Sequence, residues 1–512
     1  MKQNASNSQP HAPEPYWRES VTFPKYPEIL QDDSADITIV GGGISGLTAA
    51  YILSKKGKKV VVIEADRILN GTTGHTTAKI TAQHGLFYDE LIQHFGKNLA
   101  KKYYNAHMDA RDFIKQTIQE ENIECDFSDE DAYVYSTTEK YKEKIEKEMK
   151  AYEQIGIPGS LTYEIPFNIP IKNAIIMHGQ SQFHPLKYFR KIADQITEQG
   201  GEIFENSTAV DIHEDRDSAF VILENGKRLK SSKVLICTHF PFYDKIGFYF
   251  ARMNASRSYI LGVKANQEFP GGMYINAEKP SRSLRSTKVG GEDLILIGGE
   301  NHKTGHDEDT KAHYQALEAF GKDVFGEIEI PYKWSAQDLE TLDKIPYIGH
   351  LTENQPNVFL ATGYKKWGMT SGTLAGQLLS DLVLENQNPY ANLFSPSRFV
   401  ADPSLRHLLK QNLHVAKRFI TGKLEKPLKT PGDLKKGEGD LVQVNEKKCG
   451  AYRDEEGILH FVDTTCSHMG CEVEWNNGEH TWDCPCHGSR YDIDGEVIEG
   501  PATKGLDPIQ PF

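Results

Sequence analysis

The chain has no strongly basic segment, no apolar run of comfortable membrane-spanning length, and few cysteines outside one short stretch. The first absence argues against nucleic acid. There are 72 acidic side chains against 58 basic ones, giving a formal net charge of -14, and no cluster stands ready to neutralise phosphates. The second argues against an integral membrane segment. The most apolar window, 37–53, contains Gly41, Gly42, Gly43 and Gly46 and suits a strand, a turn and a helix better than a span. The opening residues, MKQNASNSQPHAPEPYW, offer neither the apolar core nor the small-residue cleavage site of a signal peptide, so a cytoplasmic location is expected. The third absence argues against a chain-wide disulfide framework. Of seven cysteines, Cys466, Cys471, Cys484 and Cys486 crowd together near the C-terminus and point to a local metal site. With 512 residues, 38% of them hydrophobic, two or three globular domains are expected.

The crowded stretch reads Cys466-Ser-His468-Met-Gly-Cys471 and then Cys484-Pro-Cys486-His487-Gly-Ser489-Arg-Tyr491. Each half pairs a cysteine with a histidine, and a [2Fe-2S] cluster held by two thiolates on one iron and two imidazoles on the other is a Rieske centre. Structural zinc also accepts Cys and His at such spacings. Zinc explains neither the second pair of cysteines nor the Gly-Ser-x-Tyr continuation. The stretch resembles the Rieske family, whose cluster loops read CTHxGC and CPCHGS. The resemblance implies Cys466 and Cys484 on one iron, His468 and His487 on the other, and a disulfide between Cys471 and Cys486. It implies that Ser489 donates to a bridging sulfide and Tyr491 to a cysteine sulfur, with Gly500-Pro501 in a third covering loop. Hydroxyl donors favour the reduced cluster, so a potential in the upper half of about -150 to +300 mV is expected. Short period-two runs nearby, 441–444 and 459–462, suit a small all-β domain.

Near the other end, a short apolar strand, Asp36-Ile-Thr-Ile-Val40, leads into Gly41-Gly-Gly43-Ile-Ser45-Gly46. A helical stretch runs to about Lys56, and a second strand ends at Glu64. This is the fingerprint of a dinucleotide-binding βαβ unit. Gly41 permits the turn, Gly43 lets the backbone approach a pyrophosphate, and Gly46 lets the helix pack closely. The helix N-terminus attracts phosphate, and Glu64 can accept from ribose hydroxyls.

From Tyr16-Trp17 to about Phe394 the sequence resembles FAD-dependent oxidoreductases of the D-amino-acid and glycine oxidase type. The resemblance rests on Gly71-Thr-Thr73-Gly74-His-Thr-Thr77-Ala-Lys79, Phe183-His-Pro185, Ser207-Thr-Ala-Val210, Val234-Leu-Ile-Cys-Thr238, Ile345-Pro-Tyr-Ile-Gly349, and the run from Val358 through Gly363 and Trp367-Gly368-Met369 to Thr370. It implies FAD, held by Thr73 and Thr77 in one loop, by the Val210 backbone near adenine, and by 363–370 near the isoalloxazine. The implied architecture is an α/β Rossmann-like FAD domain interleaved with an α+β substrate domain, followed by the small all-β Rieske domain. The expected boundaries are an arm at 1–35, the oxidoreductase at 36–395, a helical connector at 396–430 with helical spacing over 405–413, and the cluster domain at 431–512. Members of that family that oxidise amino acids place a carboxylate-clamping arginine before the PxIG stretch. Here that region reads Trp334-Ser-Ala-Gln337-Asp338-Leu-Glu340, so an amine or related molecule is the better expectation. Arg252, Arg257, Arg282 and Arg285 could supply the clamp from elsewhere in the chain, but read more readily as solvated surface charges.

Other residues carry weaker signals. Glu300, His302, His306 and Asp307 have the composition of a two-histidine, one-carboxylate iron site, but read as a polar loop. His75, His84, His184 and His239 could serve as acids or bases, or as hydrogen-bonded structural groups. Cys125, Cys237 and Cys449 read as small buried residues, and the charged run 140–150 as a solvated helical face. Together the motifs predict an oxidoreductase that takes electrons from a small-molecule substrate and passes them one at a time between FAD and the cluster, with an external one-electron donor or acceptor. Reverse flow uses the same parts, and a non-catalytic relay or redox sensor is the alternative.

Overall fold

The structure is a computed structural model that describes residues 14–244, 246–307, 309–398, 429–444 and 447–509. The helical spacing expected over 405–413 lies outside the described residues.

Three layers of local logic build the first half. The strand Asp33–Val40 begins three residues earlier than the sequence pattern indicates, because its exposed first half still pairs with the strand Arg228–Ile236. Its second half is buried, rich in the β-branched residues that suit a pleated surface. The chain turns at Gly41, with φ at +109°, and enters the helix Ile44–Lys55. The strand Val60–Ile63 returns parallel to the first, as a crossover helix requires. The resulting sheet runs, in order, Tyr347–His350, Val358–Thr362, Arg228–Ile236, Asp33–Val40, Val60–Ile63 and Glu202–Phe204. A hairpin of Ala209–Glu214 and Ala219–Leu223 branches from its middle. The window 37–53 is thus strand, turn and helix, and among the described residues no helix is long and apolar enough to cross a membrane.

Segments inserted between these strands form a second, mainly antiparallel sheet of nine strands. Its edge carries three long neighbours, Ile328–Thr341, Met253–Ala265 and Glu292–Lys303, in that order. The arm is anchored as well: Trp17 is fully buried and its indole donates to Thr76 O at 2.7 Å.

Glu148 departs from the solvated face expected of 140–150. It lies on the buried side of the helix Glu139–Ile155 and accepts from the backbone N–H groups of Phe87, Tyr88 and Asp89 at 2.8–3.0 Å, capping the helix Tyr88–Glu120. A carboxylate there meets orphan donors and the positive end of a helix dipole.

The C-terminal part holds two small antiparallel sheets. One has three strands, Glu438–Val444, Lys447–Arg453 and Leu459–Val462; the other has four, Glu474–Asn476, Thr481–Asp483, Arg490–Tyr491 and Val497–Glu499. Their core includes Trp482, Tyr491 and the four clustered cysteines. This unit docks on Ile328–Thr341 and its neighbour Met253–Ala265, at one side of the nine-stranded sheet.

Docking is ionic and buried. Arg257, only 2% exposed, lies 3.5 Å from Glu479 and 3.3 Å from Glu499, while Arg490 joins Glu499 at 3.0 Å and Asp483 at 3.1 Å. Ser335 and Tyr314 each donate to Glu479 at 2.6 Å. Thr310 Oγ1 lies 2.6 and 2.8 Å from the side-chain oxygens of Asn476 and Asn477 and accepts from Gly478 N–H at 2.7 Å. The expected surface role of the arginines is therefore overturned for Arg257, and equally for Arg285. Arg285 is 1% exposed and donates to the backbone oxygens of Thr77, Ala78 and Ser286.

Removing one partner of a buried network leaves uncompensated charge, at a cost of about 3–5 kcal/mol. Arg257→Met is expected to lower stability on that scale in calorimetry and to separate the melting of the two parts; a single transition of wild-type stability would contradict the network's role.

Candidate cofactor sites and the seam between them

In the fingerprint loop the glycines are required by close approach. A Cβ on Gly41 would stand 2.5 Å from Cys237 O, and one on Gly46 2.0 Å from Gly41 O. Gly43 is the N-cap of the following helix, whose Ile44 N–H donates to Thr73 Oγ1 at 3.1 Å. The loop therefore has backbone-only thickness at the positive end of a helix, which fits a pyrophosphate. Glu64 accepts from Gly42 N–H at 2.8 Å and Asp66 N–H at 3.2 Å, so it braces the loop and keeps lone pairs for a ribose. Burial raises its carboxyl above the usual range, against those two donors. Val210 sits where the register shifts between Ala209 and Asp211, an irregularity that takes its backbone out of the ladder.

The segment 363–370 is brought to the same place. Gly363 takes φ +80°, Ser45 Oγ and Tyr364 Oη lie 2.7 Å apart, and Thr370 Oγ1 donates to Thr81 O at 3.0 Å. Gly368 and Met369 begin the helix Gly368–Val383, packed against the fingerprint helix: a Cβ on Gly372 would meet Ile44 at 2.5 Å. Trp367 stacks on His84 at 4.8 Å, and His84 meets His107 edge-on at 4.5 Å. Thr77 lends its carbonyl to Arg285. These residues fit a flavin dinucleotide.

Around this cradle stand charged groups to which the sequence assigned no role. Lys79 donates to Tyr274 O at 3.4 Å, and burial pulls its ammonium down to about 7. Asp338 and Lys366 are both pushed toward neutrality by burial, each opposed by the other's charge.

The second site is assembled from two loops. Cys471 and Cys486 are joined in a disulfide. Cys484 Sγ lies near both of those sulfurs, but bridged sulfurs offer no thiolate, which leaves Cys466 and Cys484 as sulfur donors. The rings of His468 and His487 stand perpendicular, 5.0 Å apart, and the Nδ1 atom of each is buried without a hydrogen-bond partner among the described residues. Buried polar atoms are almost always paired. Two thiols and two orphaned imidazole nitrogens fit the donor set of a Rieske cluster. Tyr491 Oη lies 3.1 Å from Cys466 Sγ, and Ser489 Oγ accepts from Ala502 N–H at 3.0 Å, tying in the segment after Gly500-Pro501.

The cluster loops face the other domain. Phe250 packs edge-on against His487 at 5.2 Å and His468 at 5.7 Å, and Gln337 Nε2 donates to Gly488 O at 2.9 Å. His306 Nε2 lies 3.0 Å from Pro485 O. No sequence signal marks Phe250, Gln337, Glu479 or Glu499, because each acquires its role only when the ends of the chain meet.

The weaker candidates resolve by geometry. His302 and His313 stack at 4.7 Å with planes 8° apart, and His313 stands 3.0 Å from both Glu300 and Asp307. Imidazole lone pairs lie in the ring plane, and parallel stacked planes do not converge on one ion, so this cluster is a polar clasp. His184 caps the helix Pro185–Glu198 and shares a hydrogen bond with Ser20 at 2.9 Å. Burial pushes the Cys125 and Cys237 thiols up to about 12, the behaviour of inert buried thiols. Cys449 is buried too. Among the arginines, Arg252 donates to Pro396 O and Arg282 pairs with Glu300, so no arginine of the four is left to clamp a carboxylate.

Comparison with known proteins fits both sites. The family model described as FAD dependent oxidoreductase matches residues 36–382, and that of the Rieske [2Fe-2S] domain matches 425–510. A "Putative Rieske 2Fe-2S iron-sulfur protein YhfW" of Bacillus subtilis (strain 168) is 49% identical over 498 residues, 97% of this chain and 98% of that protein. Gamma-glutamylputrescine oxidoreductase of Escherichia coli (strain K12) is 23% identical, covering 70% of this chain and 87% of that one. The crystal structure of glycine oxidase from Geobacillus kaustophilus superposes with a TM-score of 0.62 at 17% identity, over 72% of this chain and 99% of that one.

Two outcomes follow from the geometry. Loss of one hydrogen bond to a cluster sulfur, worth about 1 kcal/mol, lowers a one-electron potential by about 40 mV, so Tyr491→Phe should shift the cluster downward by that amount in a redox titration. An unchanged potential would exclude the contact. Burial holds His84 well below its usual range and His107 at about 4. Unfolded histidines titrate near 6.5, so between about 4 and 6.5 the unfolded chain binds more protons and stability falls as pH falls. His107→Gln should flatten the melting temperature across that window; an unaltered slope would contradict it.

Proposed function

The chain belongs to the FAD-dependent oxidoreductase family and carries a Rieske domain behind its flavin-type domain, and from that premise we propose that it oxidises an amine or related small molecule and passes the electrons singly between FAD and its own cluster. The observation that carries this reading is the seam: the loop bearing His487 is hydrogen-bonded through Gly488 to Gln337, a buried residue of the flavin-type domain.

When bound, FAD supplies a two-electron acceptor and the cluster a one-electron store. The protein's residues do the rest. Gly41, Gly43, Gly46 and Thr73 hold the pyrophosphate at a helix N-terminus, Glu64 the ribose, the Val210 backbone the adenine, and 363–370 the isoalloxazine. Cys466 and Cys484 hold one iron, His468 and His487 the other, with Tyr491 and Ser489 donating toward sulfur. Arg257 keeps the two sites in register.

The amine reading is supported by what surrounds the cradle. The four arginines are committed to backbone or to carboxylates, whereas Asp338 and Glu340 lie two apart on one strand and so share a face of it. Glu340 is held by Lys365 at 3.3 Å and Asp338 faces Lys366, so the preference rests on the absence of a spare guanidinium among these four arginines rather than on a free anion. A relative named for gamma-glutamylputrescine is consistent with that preference.

The test is anaerobic titration of the holoprotein with a panel of amines and amino acids, followed by visible absorption and EPR. Flavin bleaching followed by cluster reduction, with amines preferred, is the expected result. A flavin inert to every donor would favour a relay or sensor.

A further inference from the structure

The Gln337 side chain lies at the contact between the flavin-type domain and the loop that bears His487. It is 1% exposed. Its carboxamide donates to Gly488 O at 2.9 Å and accepts from Thr304 Oγ1 at 2.8 Å. Its backbone carbonyl accepts from Thr72 Oγ1 at 3.3 Å, and the His239 ring hydrogen-bonds the same backbone.

Each of these partners leads somewhere. Thr72 directly precedes Thr73, whose hydroxyl accepts from the first residue of the fingerprint helix. His239 lies two residues beyond Cys237, whose carbonyl abuts Gly41; His239 O accepts from Thr362, the residue before Gly363. Its Nε2 is buried without a partner among the described residues. On the other side, Gly488 directly follows His487. That residue has to be glycine: its φ is +85°, and a Cβ would stand 2.4 Å from Ala255 Cβ and 3.3 Å from the Gln337 amide. The close approach is thus built by the backbone of both domains.

We propose that Gln337 is a coupling residue, a hydrogen-bonded bridge along which single electrons cross between the flavin-holding loops and the cluster ligand His487. The proposal rests on the reading of the chain as a flavin and Rieske electron-transfer protein. Each crossing carries one electron and no proton: one electron leaves the reduced flavin, one arrives at the oxidised cluster, and any flavin proton leaves to water, since an amide has no titratable group to take it. Gln337 positions the route and leaves both potentials alone, which separates it from Tyr491.

The experiment uses holoprotein whose flavin is reduced anaerobically by a light pulse with a sacrificial tertiary amine, and follows cluster reduction by its circular dichroism. Gln337→Leu keeps the volume and removes both carboxamide contacts. Transfer should slow clearly below the wild-type rate, with both midpoint potentials unchanged. Gln337→Glu keeps the acceptor for Thr304 but turns an oxygen toward Gly488 O; it should slow transfer too, and carries the test if the Leu variant does not fold. Thr310→Val removes a docking contact elsewhere on the seam and should leave the rate as in wild type. Wild-type rates in the Leu and Glu variants would overturn the proposal, as would equal slowing by Thr310→Val, which would mean that docking alone governs the rate. A wild-type cluster that the photoreduced flavin never reduces would instead overturn the functional reading beneath it.

Discussion

One buried cation sets the geometry between the two ends of this chain. Arg257 sits on Met253–Ala265, the strand next to the edge of the nine-stranded sheet, and meets Glu479 and Glu499 of the cluster domain in a place almost closed to water. A charge there is tolerated only with partners, and both carboxylates that meet Arg257 come from the cluster domain, so the arginine requires that domain in place. The Coulomb pull of Arg490 and Arg257 holds Glu499 at about 2 despite its burial, and an ionised Glu499 is what both guanidiniums need. The carboxylate stays charged above that value, so the network weakens only in strong acid.

Given that constraint, the remaining contacts follow. Gly305 and Gly488 allow backbone from the two domains to touch, since a Cβ at either would meet Pro485 or Ala255 within 2.7 Å. Phe250 can then cover the histidine edge, and Gln337 can reach the cluster loop. An apolar seam of equal area could hold two domains together, but it would not fix which loops face each other; directional, charge-assisted bonds do.

Much of this was legible in the sequence wherever function is local. The fingerprint from Asp36 to Glu64 is contiguous, because a helix N-terminus and its glycine turn are built by neighbours. The cluster loops are equally contiguous, and Cys466, His468, Cys484 and His487 stand together as four donors. Even the bulge at Val210 falls in a stretch that the family resemblance singled out. What was illegible is the long-range pairing. Arg257 and Arg285 look like surface charges in a list of residues and become buried only when partners more than a hundred residues away arrive. Glu148 reads as one acid in a solvated run, yet its helix turns it onto three backbone donors. Conversely, Glu300, His302, His306 and Asp307 look like a metal site along the chain, and the stacking of His302 on His313 takes that geometry away.

The central claim is that one polypeptide holds a flavin at its head and a mixed thiolate and imidazole iron pair at its tail. It is met most directly by the cofactor content and low-temperature EPR of protein purified without air and reconstituted with iron, sulfide and FAD. The account predicts one flavin, two irons and two sulfides per chain, with a Rieske-type signal on reduction. Colourless protein, or a tightly bound zinc in place of iron, would contradict it.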